Sequence, residues 1–319
     1  MATKDMKRAF KKLYEERLNI DRKYDNKYLY HFTTYEAITN IFKGGSIYVG
    51  RAHDMQDKEE IKYCYNIAES ILESYPYDKE FINLVLSRIK DDNLIFNEMR
   101  HYILSFSKNE DNFSTWKNYS KSHGVIIKVL YENVKNINNN LYFKNCHGKV
   151  INFNETPLNC SIYGDFGNVV YEIKKQERIL REEIDKFYIF YKQYSTSQYR
   201  EYFKNLFNLL VFRIKLISPY FKNASYENED EFRLVYTLYG NDHSDAGIEI
   251  NRGFEGKKKS YIELVFHDLK QAHIDNILGI EEILLSEDEY QIRNKNIKEI
   301  LKHSEYKNYI KIKEKIFLN

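Results

Sequence analysis

The stretch YLYHFTTYEAITNIFKGGSIYVGR (residues 28–51) decides the fold class. YLYHFT (28–33) is rich in aromatic and apolar residues, a composition typical of a strand. Apolar residues then recur at helical spacing, and the pair Gly44 and Gly45 predicts the end of that helix. SIYVGR (46–51) predicts a second strand. A strand, a helix, a glycine turn and a strand indicate an α+β fold.

Outward from this unit, the same patterns predict further strands and helices. The predicted elements are a charged helix over 3–20, one or two amphipathic helices over 57–90 broken at Pro76, strands over 100–107, 123–130, 231–238 and 261–267, another strand within 274–288, and a C-terminal amphipathic helix. Residues 171–216 carry an apolar stripe between dense charges, which predicts two helices. Because no repeat or linker divides the chain, the simplest architecture is a single domain over 1–319 with a helical insertion at about 171–216.

Composition excludes several classes of protein. The net charge of +2 is too balanced to imply nucleic-acid binding by the whole surface, so any such site has to be a local patch. Cys64, Cys146 and Cys160 fit neither a disulfide framework nor a paired zinc site, and no metal is expected. No signal peptide and no apolar run of ~20 residues is present, so we expect a cytoplasmic protein without a membrane partner.

Three segments place polar residues on predicted strands. His31 lies inside an aromatic strand and is followed by Thr33, although a lone strand histidine is commonly a hydrogen-bonded core residue. Ser105 and Ser107 share one face of another strand, where serines also serve as fillers of tight packing. Trp116 and Tyr119 follow them in the chain.

The third segment is NEDEFRLVYTL, in which two glutamates stand at the mouth of a strand. Glu229 and Glu231 lie two residues apart, a spacing that puts both carboxylates on one side and raises their pKa unless a cation relieves the repulsion. A surface acidic turn, with Arg233 as a same-face ion-pair partner, explains the pattern equally well.

These segments occur in the order of a known family. YHFTT (30–34), KGGSIYVGR (43–51), MQDKEE (55–60), LSFSKNEDNFSTWKNY (104–119) and EDEFRLV (229–235) resemble the motifs of the domain-of-unknown-function family 2971, over roughly residues 28–290. The MQDKEE stretch departs from the family's NDPFE-like motif and keeps only Asp57 and Glu60 of it.

That family resembles a remote branch of the ADP-ribosyltransferase superfamily, and the resemblance implies a split β-sheet core with flanking helices and a site for NAD. It implies that Glu231 stabilises the oxocarbenium-like transition state of NAD cleavage and that Glu229 completes an E-x-E pair. The resemblance further implies supporting roles for the other polar residues. Ser105 orients Glu231, and Ser107 belongs to the NAD-binding residues. His31 and Thr33 bind the adenosine-side ribose or the nicotinamide amide, Arg51 pairs with the pyrophosphate, and Trp116 or Tyr119 stacks on the nicotinamide ring.

Three functions remain open at this point. The first is an ADP-ribosyltransferase that modifies an unknown protein or nucleic acid, as a toxin or phage-defence effector. The second is an NAD glycohydrolase, and the third is a catalytically inert module that senses a nucleotide or a partner or regulatory protein. Both enzymatic alternatives predict that His31, Ser105 and Glu231 converge on one cleft, and that Glu231→Gln abolishes NAD cleavage while the fold stays nearly intact.

Overall fold

A computed structural model provides the structure of the protein. It describes residues 4–54, 60–90, 99–117, 124–136, 142–145, 147–152, 161–195, 200–239, 249–254, 257–265, 279–302 and 310–315. The chain divides into two compact units. The first unit contains residues 1–21, 55–100 and 169–227, and the second contains residues 22–54, 101–168 and 228–319.

The elements follow the predicted order closely. The helices are α1 (Lys4–Glu15), α2 (Tyr35–Gly44), α3 (Glu60–Ser74), α4 (Lys79–Ile89), α5 (Phe113–Thr115), α6 (Tyr131–Asn136), α7 (Ile173–Tyr194), α8 (Arg200–Ile217) and α9 (Glu287–Lys302). The strands are β1 (Tyr28–Thr34), β2 (Ser46–Arg51), β3 (Met99–Ser107), β4 (Gly124–Leu130), β5 (Tyr142–Lys144), β6 (Val150–Asn152), β7 (Ser161–Asn168), β8 (Glu231–Tyr239), β9 (Glu249–Phe254), β10 (Lys257–Val265), β11 (Ile280–Ser286) and β12 (Lys311–Lys315). The α+β class is therefore confirmed, and the helices expected over 171–216 are α7 and α8.

The first unit is built on helices. In its core, Phe81 of α4 packs edge-on against Tyr188 of α7 and Phe207 of α8, with ring centroids 5.1 and 5.7 Å apart. A buried ion pair joins α7 and α8, because Arg213 Nε of α8 donates to Glu183 Oε2 of α7 at 2.7 Å. The predicted helical pair thus packs through both aromatic rings and a buried charge pair.

The second unit is built on one large sheet. Its order is β12-β11-β4-β1-β3-β2-β10-β5-β6, while β8 pairs with β3, β7 with β8, and β9 with β10. β11 and β12 are parallel, whereas β1 runs antiparallel to both β3 and β4. On one side of the sheet, the apolar side chains of α2 (Ile38, Ile41 and Phe42) join the main core.

The boundaries of α2 follow from its sequence. Thr34 caps the start, since its hydroxyl accepts a hydrogen bond from the Ala37 N–H at 3.2 Å. Gly45 adopts φ 63° after the last turn and donates its N–H to the Ile41 carbonyl at 2.8 Å. A left-handed residue at this position is what glycine accommodates without strain. These caps fix the point at which the chain turns back into β2.

The sheet splits along β3. β3 has three neighbouring strands, β1, β2 and β8. β8 runs along one edge of β3 and contacts it near both ends of the strand. At one end the Lys108 N–H donates to the Asp230 carbonyl at 3.0 Å, and at the other His101 Nδ1 lies 2.9 Å from Thr237 Oγ1. β1 and β2 must then share the other edge. β1 meets it at Ser107, and β2 meets it at 102–103. The sheet therefore forks at residues 104–106, between β1 and β2.

Side-chain alternation separates two faces of this sheet. The core face, defined by the strand residues whose side chains join the main apolar core, carries Leu29, Tyr102, Leu104, Phe106, Phe232, Leu234, Tyr236 and Leu238. The intervening residues of β3 and β8 lie on the second face, namely Ser105, Ser107, Glu231, Arg233, Val235 and Thr237. Any site that draws on β1, β3 and β8 must therefore be located on one face or the other.

Candidate functional site

The turn before β8 has a strained backbone. Asp230, between Glu229 and Glu231, has φ 45°, a left-handed conformation that costs a non-glycine residue about 1–2 kcal/mol. Lys108 holds it, because Lys108 Nζ lies 2.6 Å from Asp230 Oδ1. The two flanking glutamates are buried, each with 5% of its surface exposed. Such strain persists only where the surrounding contacts fix the turn.

Asn112 supplies those contacts. Its Nδ2 donates toward the carbonyls of Asn228 and Glu229 at 2.9 and 2.8 Å and lies 3.1 Å from Ser107 Oγ. Its Oδ1 accepts the Thr115 N–H at 3.0 Å and so caps α5. This one buried amide ties the turn before β8 to the end of β3.

The Glu231 carboxylate is held by its neighbour on the second face. Arg233 Nε donates to Glu231 Oε2 at 2.7 Å, and Arg233 Nη2 donates to Oε1 at 3.1 Å. Only 1% of Arg233 is exposed. Arg233 is thus the same-face ion-pair partner that the sequence suggested, but the pair is buried and does not form a surface acidic turn.

The serines lie on the strand next to this ion pair. The two contacts between β3 and β8 pair 101 with 237 and 108 with 230, so equal lengths of both strands lie between them. With regular antiparallel pairing, Ser107 lies opposite Glu231 and Ser105 opposite Arg233. The structure therefore brings both predicted serines to the same face as Glu231.

His31 lies on the other face. The register pairs Tyr30 with Ser107, so the side chains of these two residues lie on the second face. Because side chains alternate along a strand, His31 lies on the core face, as does Leu29 two positions before it. The His31 ring meets Phe106 edge-on, with centroids 5.9 Å apart. The alternation of β1 therefore separates His31 from Glu231.

The His31 ring occupies the fork of the sheet. Its Nδ1 lies 2.9 Å from the carbonyl oxygen of Ser105, which can only accept, so Nδ1 carries the proton. Burial lowers the pKa of His31, and the hydrogen bond to Ser105 opposes that shift only in part. The imidazole is therefore neutral near pH 7, and its Nε2 is left as a hydrogen-bond acceptor.

The other predicted residues divide between the two faces. Thr33 pairs with Val125, and Arg51 pairs with the core residue Tyr102, which puts Thr33 and Arg51 on the core face with His31. Trp116 packs against Phe32, with centroids 6.3 Å apart, in a small cluster on the second face. Tyr119 and Asp57 lie outside the described residues.

The structure thus does not bring His31, Ser105 and Glu231 into one cleft. Ser105 and Glu231 share the second face, whereas His31 joins Thr33 and Arg51 on the core face. The expected convergence is corrected for a simple reason: the pairing of Tyr30 with Ser107 sets opposite orientations for His31 and Ser107. Sequence reasoning also missed Asn112, for which an N-cap position before a short helix was the available signal.

Comparison with known proteins gives a partial match to one family, whose function is unknown. Residues 115–234 match the family described as "Protein of unknown function (DUF2971)". The matched segment is less than half of the chain and narrower than the 28–290 suggested by the motifs, yet it includes Trp116, Glu229 and Glu231. This match supports the resemblance to that family. No curated protein and no solved structure matches the chain.

The described residues contain neither a metal-binding cluster nor a membrane-spanning helix. Among them, no cluster of three or more His, Cys, Asp or Glu side chains is arranged to hold a metal ion. The same part of the chain contains no helix with the length and hydropathy to cross a membrane.

The strain at Asp230 gives a first testable prediction. Asp230→Gly and Asp230→Ala both lose the contact with Lys108, but only glycine adopts φ 45° without a steric penalty. We expect the glycine variant to be more stable than the alanine variant by about 1 kcal/mol, measured by urea denaturation. Equal stability of the two variants would show that the left-handed turn is not strained.

The pKa of His31 gives a second prediction. Because that pKa is lowered from 6.5 in the folded protein, the unfolded chain binds the proton more tightly, and stability falls as the pH drops below 6.5. His31→Gln keeps a donor for the Ser105 carbonyl and removes the titration. Denaturation curves from about pH 7.5 to about pH 5 should show the wild type losing stability relative to this variant. A constant difference between the two proteins would contradict a buried neutral His31.

Proposed function

We propose that the chain is a nucleotide-sensing module that binds its ligand at the fork of the sheet and does not cleave it. The observation that carries this proposal is His31, whose ring lies in the fork with Nδ1 fixed on the Ser105 carbonyl. That bond sets the tautomer and leaves Nε2 as an oriented acceptor. Preorganised acceptors of this kind are the usual means by which a site fixes the orientation of a ligand.

The neighbours of His31 on the core face support a nucleotide as the ligand. Its Nε2 can accept a hydrogen bond from a ribose hydroxyl or a nicotinamide amide, and the Thr33 hydroxyl lies on the same face. Arg51 pairs with Tyr102 of β3, and the His31 ring contacts Phe106 of the same strand. Tyr102 and Phe106 are four residues apart, a distance of ~13 Å along the strand. A guanidinium at that distance is suited to phosphate. NAD carries ribose hydroxyls, a nicotinamide amide and a pyrophosphate, so it is the first ligand to test.

The position of Glu231 argues against cleavage at the fork. Stabilising positive charge on a ribose requires a carboxylate beside that ribose. Glu231 lies on the second face, and both of its oxygens accept hydrogen bonds from Arg233. The carboxylate therefore has a structural partner and is separated from His31 by the sheet.

NAD cleavage on the second face is the alternative candidate. It is favoured by one observation, the strained Asp230 between two buried glutamates that share a face with Ser105 and Ser107. Such strain clusters at functional sites. Under this proposal the protein is an ADP-ribosyltransferase of a macromolecule, as a toxin or phage-defence effector, or an NAD glycohydrolase. Glu231 would then have to exchange an Arg233 contact for a ribose hydroxyl.

Calorimetric titration of the wild-type protein tests the sensing module. NAD, ADP-ribose and AMP combine a ribose with phosphate, whereas adenosine lacks the phosphate and serves as the control ligand. We expect saturable binding of at least one phosphate-bearing nucleotide and weaker binding of adenosine. Absence of binding for all four, or equal affinity for adenosine and AMP, would refute the proposed site.

A further inference from the structure

Helix α1 exposes a row of cations on its solvent side. Lys4, Lys7, Arg8, Lys11 and Lys12 are all exposed, and they recur at helical spacings of three and four residues. These five residues are called the α1 stripe below. At 1.5 Å per residue, Lys4, Arg8 and Lys12 follow one another at ~6 Å intervals along the helix axis. The chain as a whole carries a net charge of only +2, so the stripe is a local concentration of charge.

Little within the protein neutralises the stripe. Within the described part of the chain, Lys11 pairs with Glu15 at 3.5 Å, while the other four cations form no ion pair. Asp5 is the only acidic residue between Lys4 and Lys12. Two of the cations lie in the first turn, where the positive end of the helix dipole disfavours them. Helix stability therefore does not account for the stripe.

We propose that the α1 stripe binds the phosphodiester backbone of a nucleic acid without reading its base sequence. A strand of duplex carries one negative charge per ~3.4 Å, so a cation row ~12 Å long can engage several phosphates. Arg8, Lys11 and Lys12 border an open surface along the helix. The same surface also carries Asp5, Ala9, Glu15 and Glu16. The two glutamates limit the stripe at its C-terminal end.

The packing of α1 distinguishes this partner from an anionic membrane. A helix that binds a bilayer inserts its apolar side between the lipids. Here that side is already occupied, because Met6 is only 1% exposed and the Phe10 ring packs on Phe190 of α7 at 6.2 Å. Arg213 also donates to the carbonyls of Leu13 and Glu16 at the end of the helix. The stripe lies on the solvent side of α1, which suits a polyanion in solution.

Fluorescence anisotropy with a labelled oligonucleotide of about 30 nucleotides, as single strand and as duplex, tests the proposal. The variant neutralises Lys4, Lys7, Arg8 and Lys12 to glutamine, and the matched control neutralises the exposed Lys43, Lys79, Lys204 and Lys298. Both lose the same charge. We expect the stripe variant to bind at least about tenfold more weakly at low salt and to lose about 3 units from the slope of log K against log salt, whereas the control changes little.

Three outcomes would overturn the proposal: no binding by the wild type, equal weakening in both variants, or binding to phosphatidylserine vesicles that is as strong and depends equally on the stripe. Circular dichroism and nucleotide titration check that both variants remain folded. The stripe lies in the first unit and the fork in the second, so loss of oligonucleotide binding with retained nucleotide binding separates the two sites.

Discussion

Glu231→Gln is expected to lower the free energy of unfolding by about 3 kcal/mol, at the lower end of the range for breaking a buried ion pair. The glutamine offers one acceptor where the carboxylate offers two, and it removes the buried negative charge that Arg233 Nε and Nη2 contact. The sequence alone suggested that this variant would keep its fold nearly intact. The burial of Arg233 revises that expectation, and urea denaturation of the variant is the measurement.

A double variant separates the ion pair from other effects of the substitution. Glu231→Gln combined with Arg233→Met removes the buried charge as well, so it should recover a substantial part of the lost stability. The contrary result is a double variant with a lower free energy of unfolding than Glu231→Gln alone. That result would show that Glu231→Gln does not leave Arg233 with an unfavourable buried charge. The ion pair would then contribute little to folding.

His31→Phe is expected to weaken nucleotide binding at the fork by about tenfold or more. Phenylalanine keeps a ring against Phe106 but lacks Nε2, and loss of one hydrogen bond in a buried site costs about 1–3 kcal/mol. His147→Phe is the matched control, because His147 is exposed and contributes nothing to the fork. Calorimetric titration with NAD compares the two variants with the wild type.

His31→Gln adds a graded control to that comparison. Its side chain can donate to the Ser105 carbonyl and still present an oxygen as acceptor, so its affinity should fall between those of the wild type and His31→Phe. Equal affinities for the wild type and all three variants would remove His31 from the binding site, whatever the ligand.

Local patterns in the sequence were sufficient for most elements of the fold. The segment 46–51 is β2 with the predicted bounds, because the glycine turn and alternating apolar residues define it locally. No strand was predicted at the positions of β5, β6, β7, β9 and β12. β7 contains two glycines and follows an Asn-rich stretch, and β12 is KIKEK, whose charges mask the strand pattern.

The candidate site could be predicted only in part, because its geometry depends on contacts between distant segments. Alternation along β1 does place His31 on the same side as Leu29. Whether Glu231 lies on the same face as His31 depends on two strand registers, that of β1 with β3 and that of β3 with β8. Neither register can be predicted from a local sequence pattern. The left-handed Asp230 is likewise set by distant residues, Lys108 and Asn112.

Release of nicotinamide from labelled NAD distinguishes a fork that binds a nucleotide, with Glu231 as a structural residue, from NAD cleavage by Glu231. The wild type, Glu231→Gln and His31→Phe are incubated at saturating NAD, with and without cell lysate, beside a protein-free control. We expect no release above that control for any of the three proteins, while titration still detects NAD binding by the wild type. Release by the wild type that is lost in folded Glu231→Gln would contradict it and establish NAD cleavage on the second face.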